Sequence, residues 1–492
     1  PGPLRRRPLF DELESRRAAL AAGRTPGGQW FAGRPPVLRV FQQPTALAPF
    51  EEIPPEKIRI CHLGAGASRP DPGLAAGQPT IQVGVDPVLG RLAWADTLDL
   101  PARLKVSYAY GFSGDLGGGP YDQTESVART LALARKPTWH VGVATELGSA
   151  SGETIHTSLA DAIADWHDQP AGTTGLITIM DSHSYPGDLT VTIPAGSSLF
   201  LVGADWPRLP KPSGGDERRL GQVHAAEVRP HLQGNLRITA TAAGDPAPPG
   251  VLALHGLLLE GELSVNDPTG QLAVLRIAHS TLVPGAGGLR VTGSKTTARV
   301  ELERSICGAV DLPARGASLA LLDCIIDAGT GTAITGAANA IDVQRSTILG
   351  RVNARRLDAG NAIFAGLVRA ARQQEGCVRF CYVPPGSTTG RRHRCQPDLA
   401  RETAAAGKTL SSAAERAIQA RITPVFTSRD YGHPAYLQLA GSCPPELRTG
   451  ADDGAEMGAF HFLQQPQREA NLRASLDEYL RVGLEAGLIF ST

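Results

Sequence analysis

The sequence predicts a mainly β fold: a right-handed parallel β-helix with an N-terminal β-rich module and capping helices. Three observations lead there. First, residues 250 to 370 keep returning to one pattern, a polar or small residue, then two or three apolar ones, then glycine or a turn. The clearest copies are His255-Gly256-Leu257-Leu258, His279-Ser280-Thr281-Leu282, Arg304-Ser305-Ile306-Cys307, Asp323-Cys324-Ile325-Ile326 and Arg345-Ser346-Thr347-Ile348, with a shorter one at Asn361-Ala362-Ile363-Phe364. Second, anchoring each of the first five on its second residue gives 256, 280, 305, 324 and 346, steps of 24, 25, 19 and 22 residues. Steps near twenty with strand-type content mark a solenoid, in which each turn buries its face only against its neighbours. Third, Val, Ile, Thr, Gly and Asp recur where helical repeats would need long straight-chain residues. A strand–helix–strand unit would need about thirty residues or more. A β-sandwich with regular strand spacing is the alternative architecture.

Composition narrows the function. The 492 residues include 48 basic and 48 acidic ones, a formal net charge of zero, which argues against a nucleic-acid grip or an anionic membrane surface. No stretch approaches the roughly 18 apolar residues of a membrane span. Glycine (56) and proline (38) are abundant but sit between apolar runs, as turns do. The start, Pro1 to Phe10, is basic and proline-rich and does not read as a secretory signal; the missing initiator Met suggests preceding residues that were either removed or lie outside this sequence.

The expected organisation is a β-rich attachment module over 1–150, a β-helix with its cap helix over 151–375, and a closing region over 376–492. Phe10 to Ala22 reads as a short helix stopped by Gly23. Strands are expected at Val37–Val40, Lys57–Ile60, Ile81–Val85, Arg91–Trp94 and Arg103–Tyr110. The glycine-dense Gly111 to Tyr121 lacks the Gly-Lys-Ser/Thr ending of a phosphate loop and is expected to be a plain loop. All five tryptophans fall within the first 206 residues, a composition change consistent with a different module there.

Thr157 to His167 is the best helix of the first half. Ser158 stands three before Asp161, a capping-box spacing, and Leu159, Ile163 and Trp166 form one apolar stripe. An open end of a β-helix exposes backbone donors and acceptors, so a helix directly before the first strands is placed to cover it. Arg208 to Gln222 reads as an exposed insertion. Beyond Arg372 the run Glu375 to Pro397 breaks the pattern. It is followed by a helical Ala404–Arg421, strand-like Thr423–Thr427 and Tyr436–Leu439, and a loop over Arg448–Phe460. Asn471–Leu484 is expected to be an amphipathic helix with Leu472, Leu476, Tyr479 and Leu480 on one side.

Seven scattered cysteines are no disulfide framework. Cys307 and Cys324 fall on repeat strands and are expected in the core. Cys377, Cys381 and Cys395 with His393 offer thiolate and imidazole ligands for zinc, but Cys-x3-Cys and His-x-Cys match the usual zinc spacings poorly. Stapling or unpaired thiols are the expectation, with no cofactor.

Polysaccharide-cleaving β-helix proteins place two or three carboxylates on adjacent turns facing one groove. The candidates here are Asp323, Asp327 and Asp342. Asp323 and Asp342 fall opposite Arg345 and Arg304, which predicts ion-paired turns rather than an acid–base pair. Asp452-Asp453, with Glu456 nearby, allows calcium in principle, but its spacing is no EF-hand and a solvated turn is expected. The run Arg391-Arg392-His393-Arg394 reads as surface ion pairs.

Four stretches carry a family likeness: Asp86-Pro87-Val88-Leu89-Gly90-Arg91-Leu92, Tyr108 to Tyr121 (YAYGFSGDLGGGPY), Gly187 to Trp206, and Gln464 to Ile489. With these the chain resembles β-helical tail or baseplate-associated proteins encoded with contractile phage-tail-like injection systems. The resemblance implies a structural or adhesive fibre, spike or baseplate part. It implies assembly in the cytoplasm and a place in a released or cell-associated particle, with baseplate, tube or sheath proteins as partners and a cell-surface glycan as a further one. Its motifs are structural and imply no catalytic residue. The competing classes are a β-helix polysaccharide lyase or hydrolase, and a surface adhesin independent of any particle.

Overall fold

The computed structural model describes residues 2–28, 30–31, 36–64, 81–87, 89–95, 98–108, 114–145, 147, 153–210, 216–218, 222–241, 248–313, 316–481 and 483–484. The chain divides into two compact units, one of Pro1–Phe112 with Gly432–Ala435 and Ile489–Thr492, the other of Ser113–Tyr431 with Tyr436–Leu488.

The first unit pairs a helix with two small sheets. The helix Gly2–Ala21 is longer than the sequence suggested and ends at Gly23, whose φ of +66° suits glycine. Leu38–Gln43 pairs antiparallel with Glu51–Ile53 and with Arg103–Tyr108. Ile58–Ile60 runs parallel to Val83–Asp86, which turns back antiparallel to Arg91–Trp94. The strands expected here are present, and residues 109–110 of the last one lie outside the described residues. Leu13, Phe31, Val40, Ile53, Ile58, Val83 and Trp94 form the core. Two arginines tie the helix down: Arg6 pairs with both carboxylate oxygens of fully buried Asp86 at 3.0 Å, and Arg17 donates to the Ile58 carbonyl at 2.9 Å.

The second unit is built on one continuous sheet of 24 strands in which the strands from His231–Gln233 to Ile306–Cys307 each pair parallel with the third strand further along the chain, and the longer strands after them span what are separate strands earlier. That rule sorts the strands into three stacks. In the first, Val141, Ile177, Leu201, Leu254, Ile277, Leu302, Leu321, Val343, Ala359 and Val378 stand one above another. In the third, Leu189, Leu236, Leu263, Leu289, Val310, Ile334, Val352 and Val368 do the same. Both columns feed a single apolar core. Side chains alternate across a strand, so every second residue reaches this core and each buried aliphatic contributes roughly 1.5–3 kcal/mol.

The repeat pattern predicts that Leu257, Leu259, Leu275, Ile277, Leu302, Ile306, Leu321, Ile325, Val343 and Ile348 point inward, and Leu257, Leu259, Leu275, Ile277, Leu302, Leu321, Val343 and Ile348 do belong to this core. Ile306 and Ile325 do not. They are buried on the outer side of the second stack, beneath Leu116, Tyr436, Leu437, Ala459 and Phe460. Composition marks them as apolar but cannot say which side is covered.

The stacked region also exceeds its expected limits of 151 and 375. Trp139–Val143 already pairs parallel with Thr174–Ile179, and Cys377–Arg379 pairs with both residues 359–360 and Arg391–His393. The pattern is hidden after 375 because Phe380 and Arg394 hold the turn position there and the last step shrinks to 14 residues (394 − 380).

The helix Leu159–His167 closes the start as expected. Leu159, Ala162, Ile163 and Trp166 join the core, and Ser158 Oγ accepts from the Ala160 N–H at 3.1 Å. Thr192 lies on Leu189–Ile193, a strand with a neighbour on one side only. Trp166 Nε1 donates to its carbonyl at 2.8 Å, and its N–H donates to His167 Nε2 at 3.0 Å. The helix thus satisfies a free strand edge as well as covering apolar surface.

The C-terminal expectations need correcting. Ala404–Arg421 is two helices, Asp398–Ala405 and Ser412–Arg421. Residues 423–439 form only isolated bridges such as Phe426 with Leu439. The stretch 449–460 is irregular, as expected, with Asp452 and Asp453 exposed, but Ala455, Met457, Ala459 and Phe460 within it are buried. The terminal helix Gln465–Tyr479 buries none of its residues, and Leu472 and Tyr479 stand exposed.

Candidate functional site

The chemistry-bearing residues gather at the corner between the first and second stacks. One residue there in each repeat takes a left-handed conformation: Gly256, His279, Arg304, Asp323, Arg345, Asn361, Phe380 and Arg394, all with φ between +44° and +71°. Leu258 pairs with Thr281, so Gly256 is the counterpart of His279 and the first anchor read from the sequence stands one residue early. Only the glycine adopts this conformation freely; the others are held in it by the ladders on both sides.

The next residue points inward and, after Leu257, is small: Ser280, Ser305, Cys324, Ser346, Ala362, Cys381, Cys395. These side chains form an internal polar ladder. Ser280, Ser305, Cys324, Ser346 and Cys381 each donate to the carbonyl two residues back, at 2.8–3.2 Å. Several also accept an N–H from the preceding repeat: Leu257 to Ser280, Ser280 to Ser305, Cys324 to Ser346, Ala362 to Cys381. The sharp corner breaks the strand ladder, and a hydroxyl or thiol supplies the missing partner.

This ladder decides the cysteines. Cys381 and Cys395 are buried thiols turned into the core, and burial raises the pKa of both. Cys307 and Cys324 are core residues too, the former pushed up to about 12 by burial. Cys377 is only part-buried, on a strand whose middle residue, Val378, enters the core, and His393 is exposed. Strand alternation therefore sends Cys377 and His393 away from Cys381 and Cys395, and the four do not assemble as zinc ligands.

The three candidate carboxylates are likewise kept apart in role. Asp323, nearly buried, receives both Arg345 donors at 2.7 and 3.1 Å, with Arg304 at 3.9 Å. Asp327 accepts from the Tyr436 hydroxyl at 2.6 Å and the Gly329 N–H at 2.9 Å. Burial, then this carboxylate, raises the Tyr436 pKa. Asp342, on the exposed side of its strand, accepts from Gln344 at 2.6 Å. The ion pair expected at Asp323 is present; Asp342 is held by an amide instead. Asp327 lines a cavity of about 600 Å³ together with Tyr431, Gly285, Gly287, Gly308 and Gly329.

Asp452, Asp453 and His461 are the one group among the described residues whose ligand atoms lie close enough to share a metal ion, within 4.8 Å. Asp452 is held by Asn361 at 2.7 Å and His461 meets Asp453 at 3.1 Å. Glu456 takes no part: it is buried, and burial raises its pKa to about 7. In the basic run, Arg392 pairs with Asp398 at 2.9 Å, as a surface ion pair should.

Sequence reasoning missed the cover over this corner. Gly117 donates to the Arg304 carbonyl at 2.8 Å and the Gly118 N–H to Thr281 Oγ1 at 2.9 Å. Beside them Tyr121 meets His279 Nδ1 at 2.9 Å. The available signal was a shared acid–apolar–glycine–small run, Asp115-Leu116-Gly117-Gly118 and Glu456-Met457-Gly458-Ala459.

No family model, no curated protein and no solved structure matches this chain.

Proposed function

We propose that the protein is a structural or adhesive component of a contractile phage-tail-like particle, presenting the wall of a right-handed parallel β-helix to its neighbours or to a cell-surface glycan. The particle assignment is supported by the sequence resemblance of Asp86–Leu92, Tyr108–Tyr121, Gly187–Trp206 and Gln464–Ile489. The presenting role rests on one observation: each candidate carboxylate is engaged in holding the fold. Glycoside cleavage needs an acid and a base or nucleophile poised across one bond. Here Asp323 neutralises Arg345, Asp327 anchors Tyr436 and Asp342 holds Gln344.

The exposed terminal helix, with Leu472 at 48% and Tyr479 at 82% exposure, offers apolar side chains to a neighbour. The decisive experiment tags the protein in its native host, purifies sedimenting particles and maps cross-links by mass spectrometry. Cross-links to baseplate, tube or sheath proteins are expected. Recovery only as free protein, with no such cross-link, overturns the particle assignment.

The cavity beside Asp327 and Tyr431 favours a second reading, a glycan-acting enzyme, because an aromatic ring beside a carboxylate suits a sugar. Incubation with a panel of bacterial and plant polysaccharides separates the two. Release of reducing or unsaturated ends that Asp327→Asn abolishes would establish the enzyme.

A further inference from the structure

We propose that residues 114–131 form an acid-released latch: a strap closed over two stacked, uncharged histidines, His255 and His279, that opens when they take up protons. The strap comprises the glycine run Gly114–Gly119, Tyr121 and the helix Thr124–Leu131. The helix packs on the strands Gly250–His255 and Leu272–Ala278, and Val127 is buried among Leu176, Phe200, Val202, Val251 and Ala253.

The histidines sit beneath it. Their rings stack at 5.2 Å and 29°, with His255 fully buried and His279 4% exposed. The hydrogen bonds fix the tautomer of the neutral His279 ring. Tyr121 donates its single hydroxyl proton to the Gly117 carbonyl at 2.7 Å, so at 2.9 Å it must accept from His279 Nδ1–H. His279 Nε2 is then a bare, buried acceptor without a partner, and neither ring nitrogen of His255 has one.

A proton added to either ring creates a buried N–H with nothing to receive it, in a site already rich in cations. From the strap face come Arg129, Glu125, Asp115 and Tyr121; from the wall come Arg276, Glu301, Glu303 and Arg304. The acids nearest by are committed: Glu301 at 2.9 Å and Glu303 both to Arg276, and Glu303 to Arg129 at 3.4 Å. Burial first, then the neighbouring His279 and the arginines, holds His255 well below the ordinary histidine pKa, and burial followed by the arginines holds His279 at about 3.

The sign follows. With the strap lifted the imidazoles meet water and titrate near 6.5, whereas with it closed they resist protonation far below that. Closure is therefore at full strength above about pH 6.5 and weakens as pH falls. Each imidazole shifts the balance toward the open strap by roughly tenfold per pH unit, so the pair shifts it about a hundredfold by pH 5.5. Below about 3 the contribution of His279 is fully lost.

Hydrogen exchange followed by mass spectrometry, corrected for intrinsic rates, tests this on the full chain. Peptides within 114–131 should lose about a hundredfold protection between pH 7.5 and 5.5, while peptides across 340–360 keep theirs. His255→Phe should reduce the loss to about tenfold, and His279→Gln added to it should remove the pH response. Unchanged protection of the strap at pH 5.5, equal loss in both regions, or an undiminished response in the double variant each overturns the latch. Should the double variant not fold, Tyr121→Phe serves: it opens the strap more at both pH values yet keeps the hundredfold ratio. Loss of that ratio in Tyr121→Phe contradicts the latch.

Discussion

Gly117 and Gly458 dock on the stacked wall in the same way. Gly117 donates to the Arg304 carbonyl and Gly458 to the Asn361 carbonyl, both at 2.8 Å, from equivalent corner residues. The following N–H, of Gly118 or Ala459, reaches Thr281 or Thr347 Oγ1 at 2.9 or 3.0 Å. A Cβ on either glycine would lie 2.4 or 2.6 Å from that hydroxyl, and both have positive φ, +78° and +99°. One docking arrangement thus serves an early and a late segment of the same unit.

Replacing Gly458 by valine should cost about 3 kcal/mol or more, from left-handed strain together with the clash on Thr347. Gly441, with open space around it and no positive φ, is the control, and Gly441→Ala should stay within about 0.5 kcal/mol. Urea denaturation of both variants gives the comparison. Equal midpoints would mean that the 458 contact contributes nothing.

Glu456 makes a pH prediction of the opposite sense to the histidines. Its pKa is raised from 4.5 to about 7 by burial, partly offset by Arg448. Its contribution to stability is therefore complete below about pH 4.5 and lost as pH rises through 7. Glu456→Gln should flatten that decline and leave the variant roughly 2–3 kcal/mol more stable than the parent at pH 8, relative to pH 5. Denaturation midpoints at pH 5, 6, 7 and 8 supply the measurement.

Asp323→Asn isolates a charge without disturbing the backbone, since asparagine already occupies the equivalent left-handed corner at Asn361. Arg345 is 36% exposed and water screens the pair, so a loss of about 1–2 kcal/mol is expected, with a similar coupling energy to Arg345→Met in a double-mutant cycle. A coupling near zero would leave the pair without a stabilising role.

Ile163→Asp places a charge in the interface between the cap helix and the core, where Ile163 is 4% exposed. A destabilisation of about 4 kcal/mol is expected, together with aggregation as the Thr192 strand edge is uncovered. Light scattering and melting report both, and an unaltered profile would show that the helix caps nothing.

Much of the fold was legible because repetition amplifies weak signals. Ser280, Ser305, Cys324 and Ser346 each say little, but at steps near twenty they mark one inward column. Leu159, Ile163 and Trp166 were legible for a similar reason, three apolar residues at helical spacing beside the first strands. The repeats at Phe380 and Arg394 were hidden, because the corner tolerates large side chains that point outward. The outer cover was hidden more deeply. Nothing local distinguishes an isoleucine facing the core from Ile306 or Ile325, which face a segment more than a hundred residues away in sequence. The same long range hid Tyr436 beside Asp327 and Tyr121 beside His279, pairs that no spacing rule connects.

The late docking of Met457, Ala459 and Phe460 has a consequence for biosynthesis. Ile325 and Ile363 are translated long before the segment that shields them. On the ribosome, the growing stack can zip up repeat by repeat while its outer flank stays greasy and uncovered. The nascent chain therefore passes through a sticky interval that ends only when residues 455–463 emerge. Its need for chaperones should be concentrated in that interval rather than spread along the repeats.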